Sequence, residues 1–81
     1  MNQQQYSMED LTAYLNKMGI SNIGKALTPQ DIFELSFKGT LCYNKVLELV
    51  KDQLPYKQIG RKYFIWPIDY AKWMLNQEIN N

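Results

Sequence analysis

The sequence predicts a mostly α-helical domain that carries one two-stranded hairpin, and three observations predict it. Apolar residues recur at helical spacing in separate runs, as at Leu11, Tyr14, Leu15 and Met18. Helix start and stop signals bracket those runs: Ser7, Thr28-Pro29 and Pro67 open them, and Gly19 and Leu54-Pro55 close them. A short β-rich stretch is divided by Gly60-Arg61, the pattern of a tight hairpin. At 81 residues the chain has room for one core, and two Trp, six Tyr and three Phe set it apart from disordered sequences.

Taken in order, residues 1–6 read as a flexible tail. Ser7-Met8-Glu9-Asp10 has the form of a capping box, with Asp10 where Glu or Gln is usual. A helix is expected over 8–18, stopped at Gly19. It lies in an N-terminal extension, residues 7–26, whose Ile20 and Ile23 can pack. Thr28-Pro29-Gln30-Asp31 starts a second helix: Thr28 accepts a free N–H, Pro29 suits the first turn, and Asp31 complements the positive end. That helix is short, ends near Ser36, and buries Ile32, Phe33 and Leu35. After a turn at Phe37-Lys38-Gly39, Thr40 caps a third helix over 41–53. Its apolar stripe holds Cys42, Tyr43, Val46, Leu47, Leu49 and Val50, opposite Asn44, Lys45, Glu48, Lys51 and Asp52. Pro55 ends it. Residues 56–59 and 62–66 form strands joined by a type II′ turn, with Tyr63 and Ile65 facing one way and Phe64 and Trp66 the other. Pro67 opens a last helix with Ala71, Trp73, Met74 and Leu75 on its apolar side and Trp73 in the core. Residues 76–81 are polar and expected to fray, 78–81 as a tail.

Composition excludes much chemistry. Without histidine there is no Ser-His or Cys-His nucleophile pair and no His-ligated zinc. Four scattered glycines build no phosphate-cradling loop. No metal and no cofactor is expected, and the chain reads as a binding module rather than an enzyme. One cysteine fits a reducing cytosol. No membrane span or signal peptide is expected: the longest apolar run is Tyr63 to Ile68. Charge is uneven. Residues 1–37 set Lys17 and Lys25 against Glu9, Asp10, Asp31 and Glu34, a net −2. Residues 38–62 set Lys38, Lys45, Lys51, Lys57, Arg61 and Lys62 against Glu48 and Asp52, a net +4. Such a basic centre fits either a polyanion site or a solvated surface.

Two short helices joined by a tight turn and followed by a basic hairpin outline a winged helix-turn-helix, here with an extra N-terminal helix. An α-helix fits the major groove of DNA. From Leu27 onward the sequence also resembles the excisionase-type helix-turn-helix family, related to the MerR DNA-binding domain. The residues carrying this are Leu27-Thr28, then Leu54-Pro55-Tyr56-Lys57-Gln58-Ile59-Gly60-Arg61-Lys62-Tyr63, then Asp69 with Trp73-Met74. The resemblance spans a domain at 27–77 and implies DNA binding by the second motif helix and the wing. It implies a phage or mobile-element protein of the bacterial cytosol, nucleoid-associated, acting as a recombination directionality factor or a transcription regulator. Implied partners are double-stranded DNA, a second copy in a homodimer or cooperative array on DNA, and an integrase or recombinase.

Within this frame Asn44 and Lys45 are candidate base-reading residues. Thr40 is a phosphate contact or a plain cap, and Tyr43 a core residue or a phosphate contact. Lys51, Lys57 and Lys38 are candidate phosphate contacts, as are Arg61 and Lys62 at the hairpin tip. Glu48 either accepts from a cytosine amino group or pairs with Lys45 or Lys51. Cys42 is expected to be a small buried hydrophobe. The family pattern favours Arg or Lys where this chain has Phe64, Trp66 and Pro67. An outward Phe64 and Trp66 leave an apolar patch, which the first helix is expected to cover, on the wing's outer face or by forming a dimer. A competing reading makes Phe64 and Trp66 the contact surface for a recombinase or replication protein.

Overall fold

The computed structural model describes the backbone of residues 6–80 and the side chains as far as Gln77. Four helices and an antiparallel hairpin follow in the order α1 (Met8–Lys17), α2 (Pro29–Ile32), α3 (Tyr43–Gln53), β1 (Lys57–Ile59), β2 (Lys62–Phe64) and α4 (Pro67–Asn80). The element order matches the expected one, and the differences lie at particular residues.

The local signals act as read. Ser7 and Asp10 form the capping box of α1: the Asp10 N–H donates to Ser7 Oγ at 3.1 Å and the Ser7 N–H to the Asp10 carboxylate at 3.4 Å. At its other end Gly19 takes φ +92°. The Ile20 N–H then reaches the Leu15 carbonyl at 2.9 Å and the Gly19 N–H that of Asn16 at 3.0 Å, a Schellman closure. Thr28 and Asp31 repeat the box on α2, at 3.2 and 3.0 Å. Beyond Ile32 the helix widens into a π-helical segment, Phe33–Phe37, which the spacing did not signal. Thr40 is not a cap. Its hydroxyl donates to the Phe37 carbonyl at 2.9 Å, tightening the turn. Cys42 stands at the N-cap of α3 without a side-chain bond, so the helix starts at Tyr43 rather than 41.

One core gathers residues from every helix and from the hairpin's exit: Leu11 and Leu15, Leu27, Ile32, Val46 and Val50, Leu54, Ile65, Tyr70 and Ala71. α1 packs on α4, and α2 on α3. Leu27 pairs with Ile65 through two backbone hydrogen bonds of 2.7 Å, adding a single rung to the far side of β2's exit. Tyr70 is fully buried and its hydroxyl bonds that of Ser36, in the π-helical segment. Burial pushes the Tyr70 hydroxyl above its ordinary pKa, with the Ser36 bond pulling the other way.

Several expectations are corrected. Cys42 and Tyr43 are exposed because they precede the buried turn of α3. Trp73 is half-buried at the core's edge, its indole N–H donating to Gln53 at 3.0 Å. The strands stop at Phe64, since Ile65 bonds Leu27 instead. α4 continues to Asn80 rather than fraying from 76. Tyr6 is half-buried against the core, while the rest of the expected N-terminal tail, residues 1–5, and Asn81 lie outside the described residues. α1 does not cover the wing: its buried face is spent on α4, and Trp66 remains 54% exposed. No described helix is long and apolar enough to cross a membrane.

Candidate nucleic-acid interface

The hairpin positions three of the six candidate cations, Lys57, Arg61 and Lys62. Lys57 faces Phe64, Gln58 faces Tyr63, and Ile59 faces Lys62 across the strands. Gly60 has φ +63°, and among the described residues positive φ occurs only at glycine, so Arg61 is negative. That sign pattern belongs to a type II′ turn, which needs glycine first. The Gln58 side-chain amide donates to the Gly60 carbonyl at 3.1 Å and braces the loop. Alternation sends Lys57, Ile59, Lys62, Phe64 and Trp66 to the outer face. Tyr63 points inward with Tyr56, their rings edge to face at 5.4 Å.

α3 meets the inner face through Lys51, whose ammonium lies 5.2 Å from the centre of the Tyr63 ring. This cation–π contact contributes roughly 0.5–1 kcal/mol at an exposed site. Its larger effect is positional, because it ties the last turn of α3 to the wing. Asn44 and Glu48 are seven and three residues before Lys51 and share its helix face. Lys51 is thereby brought to the hairpin, while Asn44 shares its helix face about 10 Å away along the axis at ~1.5 Å per residue.

The remaining candidates are placed otherwise. Lys38 pairs with Glu34 at 3.5 Å and Lys45 with Glu48 at 3.6 Å. Both pairs are exposed, and such pairs contribute under about 1 kcal/mol. Tyr43 lies at the opposite end of α3, about 12 Å from Lys51 along the axis at ~1.5 Å per residue, and Thr40 precedes the helix. Tyr43 packs its ring on Phe33, centroids 6.3 Å apart. The solvent face of α3 balances Lys45 and Lys51 against Glu48 and Asp52 and is neutral overall. By contrast, residues 53–68 hold Lys57, Arg61 and Lys62 and no carboxylate. These three cations are exposed and make no ion pair among the described residues.

Two features escaped the sequence reading. The Lys51–Tyr63–Tyr56 stack joins residues whose contact no single-element pattern encodes. Behind it, Ala26 and Ile59 join the expected outward pair Phe64 and Trp66, and with Lys57 they line a cavity of about 210 Å³. The alternation of β1 was the available signal for Ile59; nothing local marked Ala26. No cluster of three or more metal-ligating side chains occurs among the described residues. No family model matches this chain, and no curated protein or solved structure is significantly similar to it.

Proposed function

We propose that the protein binds double-stranded DNA as a small winged helix-turn-helix, with α3 in the major groove and the hairpin on the adjacent backbone. The observation that carries this reading is the carboxylate-free, unpaired cationic hairpin fastened to α3 through Lys51 and Tyr63. Arg61 and Lys62 meet phosphates at the tip, with Lys57 and Lys51 behind them. Asn44 reads a base edge, adenine by its chemistry. Lys45 and Lys38 join only after leaving their carboxylates. The resemblance of residues 27–77 to excisionase-type proteins supports the same assignment, including action as a recombination directionality factor or transcription regulator. One helix and one hairpin cover a short site, so copies bind as dimers or in arrays.

Titration of duplex DNA against salt tests the reading. Four phosphate contacts predict a log–log slope near −3.6, about −0.9 per contact. Arg61→Ala with Lys62→Ala lowers its magnitude by about 1.8 on all sequences. No complex at low salt, or an unchanged slope in the double variant, overturns it.

A further inference from the structure

We propose that the outer face of the hairpin is a docking site for an extended acidic segment of a protein partner that carries large apolar side chains. This site shares Lys57, Arg61 and Lys62 with the proposed DNA contact, but its apolar floor of Ala26, Ile59, Phe64 and Trp66 does not depend on that reading.

The cavity there is lined by Ala26, Lys57, Ile59, Phe64 and Trp66. Its volume of about 210 Å³ accommodates one large apolar side chain. Ile59 and Trp66 are 63% and 54% exposed, so two large apolar groups meet water beside a concave floor. Apolar patches of this kind, rimmed by polar groups, mark interaction surfaces. No described part of the chain covers this one, because α1 is engaged with α4.

Charge selects the occupant. Lys57 lines the cavity, Lys62 stands on the same face opposite Ile59, and Arg61 occupies the turn between them. No carboxylate lies between residues 53 and 68. The complement is a segment that presents carboxylates to the rim and an apolar side chain to the floor. A twofold contact of this face with itself opposes like cations across the interface. A duplex offers phosphates to the rim and keeps its bases stacked away from an apolar floor.

The backbone favours an extended segment. β1 is paired on one side only, by β2. In a hairpin with a two-residue loop, the pair flanking the loop is hydrogen-bonded and the next is not. Gln58 therefore turns its N–H and C=O outward, free to receive a strand beside β1. Side chains at alternate positions of that strand then fall next to Lys57 and Ile59.

A fluorescein-labelled peptide of repeated Glu-Leu-Glu-Phe, titrated with the full chain and followed by anisotropy, tests the proposal. The lysine counterpart of the peptide is the control. The acidic peptide is expected to bind and the lysine peptide not to. Trp66→Ala and the pair Lys57→Glu, Lys62→Glu each weaken binding about tenfold or more. Because the Trp66 side chain is exposed, Trp66→Ala keeps the helical circular dichroism; Ile59→Ala gives the same loss should it not. Duplex DNA affinity stays within about twofold in Trp66→Ala. Equal binding of both peptides, or full binding by Trp66→Ala and Ile59→Ala, overturns the proposal. Joint loss of DNA affinity in Trp66→Ala would assign the groove to DNA, and Trp66-dependent self-association in sedimentation would assign it to a second copy; either result overturns it.

Discussion

Replacing Ser36 by alanine strands the hydroxyl of Tyr70 inside the core. Tyr70 has no exposed surface, and its hydroxyl has two neighbours: the Ser36 hydroxyl and the Met18 sulfur at 3.9 Å. Sulfur is a weak acceptor, so Ser36→Ala removes the main partner. An unsatisfied buried hydroxyl costs about 1–3 kcal/mol, and the residual Met18 contact sets the expected value at about 1–2 kcal/mol. Tyr70→Phe removes both the hydroxyl and its need. It leaves Ser36, which is half-exposed and can turn to water, so its loss is smaller, about 0.5–1.5 kcal/mol. A domain of this size shifts by roughly 4–8 °C per kcal/mol, which puts Ser36→Ala about 4–16 °C below wild type. Thermal melts of both single variants and the double variant measure the coupling. The pH dependence supplies a second readout. Tyr70 is neutral while protonated, and burial raises its pKa above the ordinary value of 10.0. As pH rises past that value the unfolded chain loses this proton first. The folded state then binds more protons, and stability falls by up to about 1.4 kcal/mol per pH unit until the folded pKa is passed. Tyr70→Phe abolishes that part of the alkaline slope. The reasoning is refuted if Ser36→Ala is harmless, or if Tyr70→Phe retains the wild-type alkaline slope.

Other substitutions probe the caps and the interface. Gly19→Ala forces a side chain into φ +92° and is expected to lower stability by about 1 kcal/mol in a urea titration. Thr28→Ala opens the capping box of α2 and costs about 1 kcal/mol by the same assay, with Asp31→Ala giving a similar loss. Asn44→Ala leaves the salt dependence of DNA binding unchanged while relaxing discrimination at one position by about 1–3 kcal/mol, read by competition among permuted duplexes.

Short-range chemistry set most of the elements. Ser7 with Asp10, Thr28 with Asp31, Gly19 and Gly60 each act within a few residues of their own position, so their effect is present in the linear pattern. The same holds for the outward Trp66 and the inward Tyr63, because strand alternation is local. Where packing competes with pattern, the sequence alone misplaces residues. Cys42 and Tyr43 fall on an apolar stripe, yet they precede the turn of α3 that meets the core. Thr40 has a capping side chain, but its hydroxyl reaches back to Phe37 because the turn there is tight. α1 has an apolar face whose partner no local rule names, and the fold gives it α4.

The sequence by itself determined the helices, the hairpin, the two capping boxes and the concentration of positive charge at residues 38–62. Only the tertiary structure decided which of the charges outside the local Lys38–Glu34 and Lys45–Glu48 pairs are free. Lys38 and Lys45 are held by carboxylates one turn away, Lys51 is laid over Tyr63, and the hairpin cations face water. The reason is that propensity, capping and one-turn charge pairs act through neighbours along the chain, whereas burial and contacts between elements depend on which surfaces the fold brings together.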